Sequence, residues 1–118
     1  MDLDFEFKKK FTLEERQGES ARIMDKYPDR TPIVVETTKT SNFKLDKNKY
    51  LVPSDLTFGQ LIHVIRRRVH LKPEEAVYLF TAKGTLETIS ALVSSVYNEY
   101  KDEDGFVYFM VSKEETFG

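Results

Sequence analysis

The sequence predicts an α+β domain built on a small mixed sheet. Three observations carry this. Four short apolar or β-branched runs are spaced along the chain. Two amphipathic stretches at helical spacing separate the later runs. Turn residues punctuate nearly every junction. At 118 residues and 13.8 kDa there is enough chain for one core. The composition, 40% hydrophobic and 32% charged, is that of a folded soluble domain.

Taken in order, residues 2–11 are ambiguous. Leu3, Phe5 and Phe7 alternate, while Leu3, Phe7 and Phe11 also fit helical spacing. Residues 12–26 read as a helix with Thr12 as its cap and Glu15 at the capping-box position; its thin apolar face (Leu13, Ala21, Ile23, Met24) suits a helix lying on a core. After the turn Tyr27-Pro28-Asp29, the run Pro32 to Thr37 is a strand. Residues 39–48 are a polar loop, and Lys49-Tyr50-Leu51-Val52 is a second strand stopped by Pro53. A helix from about Thr57 to Val69 places Phe58, Leu61, Ile62, Ile65 and Val69 on one face. Arg66-Arg67-Arg68 in its last turn complement the helix dipole. Ala76 to Phe80 is apolar enough for a strand buried on both faces. Lys83-Gly84 turns the chain into a helix over about Ser90 to Lys101, with Leu92, Val93, Val96, Tyr97 and Tyr100 facing inward. Asp102-Glu103-Asp104 reads as a solvated charge run, Gly105 as a left-handed turn residue, and Phe106 to Val111 as a central strand before a polar tail. A strand pair, a crossover helix and two further strands amount to the β-grasp plan, with helices on one face and an extra helical piece in front.

Charge and composition narrow the function. Residues 1–70 carry 14 Lys+Arg against 11 Asp+Glu, and residues 71–118 carry 4 against 9. The surface is therefore two-faced, and a general nucleic-acid binder is excluded. The absence of cysteine removes disulfides, thiolate metal sites and a thiol nucleophile. His63 and His70 stand alone without metal-ligand spacing, and no Ser-His-Asp set, phosphate-binding loop or paired carboxylate with apolar flanks is present. No catalytic residue, metal or cofactor is expected, and the chain is not read as an enzyme. Asp2, Asp4 and Glu6 near the start are unlike a secretory leader, so a cytoplasmic location is expected.

Four ordered motifs resemble the autophagy ubiquitin-like modifiers of the GABARAP and light-chain-3 type: Lys49 to Thr57, Val64 to Arg68, Tyr100 to Tyr108, and Thr116-Phe117-Gly118. Weaker matches are Tyr27 to Pro32 and Arg16 to Glu19. The resemblance implies a β-grasp ubiquitin-like fold with a four-stranded mixed sheet and two added N-terminal helices. On that division, residues 1–26 form a helical extension and residues 27–118 the ubiquitin-like domain with its C-terminal tail. It further implies attachment of Gly118 to phosphatidylethanolamine by activating and conjugating enzymes, a deconjugating cysteine protease, and autophagosome and vacuole or lysosome membranes as the destination. Because the sequence ends on Phe117-Gly118, attachment without proteolytic trimming is expected.

The resemblance also implies docking of receptors bearing aromatic-x-x-aliphatic motifs. Carried over, the aromatic pocket is Glu19, Ile23, Pro32, Val34, Lys49, Leu51 and Phe106. The aliphatic pocket is Tyr50, Val52, Pro53, Leu56, Leu61, Val64 and Ile65. Arg30, Lys47, Lys49 and Arg68 would meet acidic residues flanking the motif. The residues themselves agree with part of this. The strand 49–52 follows a polar loop and ends in proline, as edge strands do, and an edge offers backbone groups to an extended peptide. The alternative is a soluble, non-conjugated peptide-binding adaptor in vesicle trafficking.

Overall fold

The computed structural model describes residues 3–38, 45, 47–69 and 71–113. Eight elements follow in the order α1 (Glu6–Lys10), α2 (Leu13–Lys26), β1 (Arg30–Thr37), β2 (Lys49–Pro53), α3 (Phe58–Arg66), β3 (Val77–Thr81), α4 (Val93–Tyr100) and β4 (Val107–Lys113). The sheet order is β2-β1-β4-β3, with β1 and β4 parallel and both outer pairs antiparallel. This is the ubiquitin-like arrangement, with α1 and α2 in front of it.

The two central strands separate two apolar layers. Ile33, Val35, Val107, Phe109 and Val111 face α3 and α4, where they meet Phe58, Leu61, Ile65, Val93 and Val96. Val34, Phe106, Tyr108 and Met110 face the other way, against Phe5, Phe7 and Ile23. The alternation explains why β1 and β4 read as unbroken apolar runs: each successive side chain enters a different core. α3 and α4 cover one face, as the β-grasp plan expects, and the added N-terminal helices in front cover the other. Burying Phe5 and Phe7 to 2% and 4% exposure is what makes α1 part of the fold.

Capping boxes start α2 at Thr12–Glu15 and α3 at Thr57–Gln60, the hydroxyl accepting from the third residue and its side chain returning to the cap N–H. The five-residue α1 has no local cap. Instead the Glu36 carboxylate on β1 accepts the N–H groups of Glu6 and Phe7, at 2.8 and 2.9 Å. The ambiguous start of the chain is resolved as a helix pinned from the sheet.

Several expectations shift. β3 lies at the sheet edge, with Val77, Tyr78 and Phe80 only half-buried, so it is not a doubly buried strand. β4 runs through Ser112 and Lys113, so the tail starts later than the polar residues imply. α4 begins at Val93, which leaves Leu92 44% exposed. α3 stops at Arg66, whose guanidinium turns back to donate to the carbonyls of Lys72, Pro73 and Glu75, holding the loop into β3. His70 and Gly118 lie outside the described residues. Among the described residues no helix is long and apolar enough to cross a membrane, and no three His, Asp or Glu side chains converge as a metal site.

Candidate peptide groove

Among the described residues β2 pairs only with β1, in the register Ile33↔Tyr50 and Thr31↔Val52. The Val35 N–H donates to the Asn48 carbonyl at 2.8 Å, which fixes the phase of the antiparallel ladder. Hydrogen-bonded pairs recur at every second residue. Tyr50 and Val52 therefore exchange bonds with β1, while Lys49 and Leu51 direct their N–H and C=O groups outward. Pro32, opposite Leu51, sits where no N–H is required by this pair.

Side chains sort along the same strand. Tyr50 and Val52 enter the core shared with α3, and Leu51 packs on the layer beneath α2. Between α2 and β2 lies a cleft of about 250 Å³ lined by Arg22, Ile23, Lys26, Tyr27, Lys47, Lys49, Tyr50, Leu51 and Phe106. Four of the expected aromatic-pocket residues, Ile23, Lys49, Leu51 and Phe106, line it directly. Val34 is fully buried in the layer behind Ile23 and Phe106, and Pro32 is buried on β1 opposite Leu51. Glu19 crosses the rim: its carboxylate accepts from the Lys49 ammonium at 2.5 Å and lies 3.7 Å from Arg22. The reading of the sequence had no place for Arg22, Lys26 and Tyr27, although Lys26 and Tyr27 stand three and four residues after Ile23 and so share its face.

The expected aliphatic pocket is closed at its base. Tyr50, Val52, Leu61 and Ile65 are at most 6% exposed and belong to the core. Leu56 and Val64 are half-buried and Pro53 exposed, so these three form what a ligand side chain could touch. Of the four cations assigned to acidic flanks, Lys47 and Lys49 line the cleft. Arg30 is exposed at the start of β1 and stacks 5.6 Å from the Tyr27 ring centroid. Arg68 follows the end of α3 and does not line the cleft.

The α2 wall is fastened by a segment expected to be solvated. Asp104 is buried, and its carboxylate accepts from the Arg16 guanidinium at 2.6 Å, the Tyr108 hydroxyl and the Phe106 N–H. The Asp104 carbonyl accepts from the Ser20 hydroxyl, and the Glu103 carbonyl from Gln17 at 3.2 Å. Lys8 of α1 pairs with Asp102. Asp104, buried, and Asp102, half-buried, thus form a knot joining α1 and α2 to β4, while the Glu103 side chain stays exposed. Burial, with the hydrogen bond and charge of Asp104, pushes the Tyr108 hydroxyl far above its ordinary range; burial and the same charge raise Tyr97. Gly105 permits the turn with φ +91°.

Known proteins with this sequence pattern and shape converge on one family. Residues 15–118 match the family described as "Autophagy protein Atg8 ubiquitin like". The chain is 50% identical to autophagy-related protein 8d of Arabidopsis thaliana over 113 residues, covering 95% of this chain and 93% of that protein. It is 49% identical to autophagy-related protein 8 of Schizosaccharomyces pombe over 114 residues, covering 96% and 93%. Among solved structures, Trypanosoma brucei ATG8 superposes with a TM-score of 0.89 at 42% identity, covering 95% of this chain and 97% of that one. Plasmodium falciparum Atg8, in complex with a Plasmodium falciparum Atg3 peptide, superposes with a TM-score of 0.80 at 30% identity, covering 90% and 94%. An open-edged ubiquitin-like sheet, two helices in front of it and these matches lead to one statement: the chain belongs to the Atg8 family of autophagy-related ubiquitin-like proteins.

Proposed function

We propose that this chain is a modifier joined through Gly118 to phosphatidylethanolamine on autophagosomal membranes, where it docks receptors carrying aromatic-x-x-aliphatic motifs. The observation that carries the docking half is the outward backbone edge at Lys49 and Leu51 beside the α2–β2 cleft. An extended peptide there gains main-chain hydrogen bonds, its aromatic residue enters the cleft, and the aliphatic residue three positions on reaches Pro53, Leu56 and Val64. Since the cleft lies toward the start of β2 and those three residues toward its end, the peptide runs parallel to β2.

Support for the conjugation half is family membership, with the match extending to Gly118. The chemistry is balanced by ATP. The Gly118 carboxylate attacks the α-phosphate, forming an acyl adenylate and releasing pyrophosphate. An enzyme thiolate displaces AMP to give a thioester, which passes to the conjugating enzyme's thiol. The lipid amine then attacks the thioester carbonyl, an amide forms and the thiol leaves. Glycine suits this because no Cβ crowds the carbonyl. A deconjugating cysteine protease would hydrolyse that amide: its thiolate displaces the lipid amine, and water then releases the Gly118 carboxylate. Phe117 and Gly118 lie outside the described residues.

Calorimetric titration with an aromatic-x-x-aliphatic peptide tests the groove. Tyr50 is a core residue, so Leu51→Ala is the informative change; it should weaken binding about tenfold with the domain folded. Unchanged affinity rejects the assignment. For conjugation, the chain, its enzymes, ATP and phosphatidylethanolamine vesicles should yield a lipid adduct on Gly118 by mass spectrometry. Normal lipidation of a chain lacking Gly118 rejects it in favour of the soluble adaptor.

A further inference from the structure

β1 and β4 end, and β2 and β3 begin, at the same end of the sheet. α3 runs toward that end, because Arg66 reaches the Glu75 carbonyl and Glu75 pairs with Lys113 at 3.0 Å. Lys47, Arg67, Arg68 and Lys72 are exposed there; the acids described at that end are Glu74, Glu75 paired with Lys113, Glu36, whose carboxylate accepts the first N–H groups of α1, and Glu6 beside it. At the opposite end lie exposed Asp29, Asp55 and Glu103 and half-buried Glu87, against exposed Arg30, Lys83 and Lys101, while Asp102 and Asp104 are paired with Lys8 and Arg16. One end of the sheet is therefore a basic pole, and the other is close to balanced in charge.

The basic pole is also where β4 delivers the chain to its last five residues. Five residues span at most about 18 Å, so Gly118 stays within that radius of Lys113. Glu114 and Glu115 in this segment oppose an anionic surface, so the basic side chains must outweigh them.

We propose that the basic pole, through Arg67, Arg68 and Lys72 with Lys47 at its rim, is the surface that meets anionic headgroups of the membrane carrying the conjugate. The proposal rests on the conjugation reading above. A lipid joined to Gly118 holds this pole, and not the nearly balanced opposite one, near the bilayer. The molecule then stands with its strands along the membrane normal. The β2 edge is left facing sideways, so a receptor peptide docks parallel to β2 and runs away from the bilayer. Anchoring supplies high effective concentration, so modest charge attraction suffices to set orientation.

The test reads arginine reactivity toward phenylglyoxal by mass spectrometry, residue by residue. The chain is anchored in two ways: by the conjugating enzymes, and as Gly118→Cys coupled to maleimide-phosphatidylethanolamine. Vesicles are phosphatidylcholine alone or phosphatidylserine-rich, each with the anchor lipid. Arg67 and Arg68 should be protected about fivefold on the anionic vesicles relative to the neutral ones. The protection should vanish in high salt. Arg30, at the opposite end of the sheet, should react equally on both. Equal reactivity of Arg67 and Arg68 on the two vesicles, with the thiol-coupled chain anchored, overturns the proposal. Protection of the thiol-coupled chain without any enzymatic conjugate would leave this surface standing and remove the conjugation reading. Protection of both arginines by an acidic aromatic-x-x-aliphatic peptide in solution, with none on anionic vesicles, assigns them to the peptide groove and overturns it too.

Discussion

Asp104→Ala removes the acceptor at the centre of the knot that fastens α2. Its carboxylate is completely buried and serves three donors: Arg16 at 2.6 Å, Tyr108 at 2.5 Å and the Phe106 N–H at 2.8 Å. Alanine leaves a guanidinium whose side chain is only 10% exposed, together with a phenol and an amide, without that partner. Removing one member of a buried charge pair costs about 3–5 kcal/mol, against a total stability of about 5–15 kcal/mol for a domain. At a urea dependence of about 2 kcal/mol/M, the unfolding midpoint should fall by roughly 2 M. Asp104→Asn keeps an acceptor without the charge, and its loss should be roughly half as large. Equilibrium urea unfolding followed by circular dichroism measures both. A loss below about 1 kcal/mol for Asp104→Ala is the size of a surface substitution, and would refute the claim that this carboxylate holds the layer together.

Three further outcomes follow from neighbouring groups. The folded-state values of Tyr97 and Tyr108 are raised above the unfolded one, so their contribution is fully present below about pH 10 and is lost as pH rises beyond it. Tyrosine-labelled NMR should show Tyr108 ionising only as the chain unfolds and Tyr97 ionising above the range of a free tyrosine; ionisation of Tyr108 in the folded chain contradicts its burial. Gly105→Ala places a Cβ 2.4 Å from the Ser20 hydroxyl at φ +91° and should cost about 3 kcal/mol in thermal unfolding. Gly18→Ala, inside α2 with nothing within 4 Å of the added carbon, should stabilise by about 0.5–1 kcal/mol.

What was legible in the sequence is what local pattern encodes. Period and caps locate α2, α3, β1, β2 and β4, because Thr12, Thr57 and the β-branched runs act on their own neighbours. Alternation along Lys49 to Val52 sorts the two faces of the edge strand correctly. The misreadings share a cause: partners distant in sequence. Arg16 meets Asp104 across 88 residues and Glu6 meets Glu36 across 30, so a run of three acids looks solvated and a five-residue helix looks indeterminate. Apolar content predicted burial of β3 on both sides, but an edge position satisfies the same residues with half their surface covered. The cleft beside β2 was legible through family likeness at Ile23, Lys49, Leu51 and Phe106. Its outer wall was readable from helical spacing alone, since Lys26 and Tyr27 follow Ile23 by one turn.

Under the proposed docking reading, Lys49 bears on how the groove would select acidic peptides, because it is not idle in the unliganded chain. Its ammonium donates to Glu19 at 2.5 Å, and its side chain is 41% exposed. A peptide carboxylate seeking Lys49 must compete with Glu19, whereas one seeking Lys47 meets a cation directed over the Tyr50 ring at 5.7 Å. Glu19→Gln removes the competing charge and one acid from the rim. Exposed pairs of this kind are worth about 0.2–1 kcal/mol, so affinity for a peptide with acids before its aromatic residue should rise by up to about fivefold. The gain should shrink as salt is raised, since every charge concerned is at a solvated rim. A peptide with neutral flanks should bind Glu19→Gln and the parent chain alike. Titrations of both peptides at low and high salt separate the possibilities. Weaker binding of the acidic peptide to Glu19→Gln would mean that Glu19 holds Lys49 in its productive position, and would refute the competition argument.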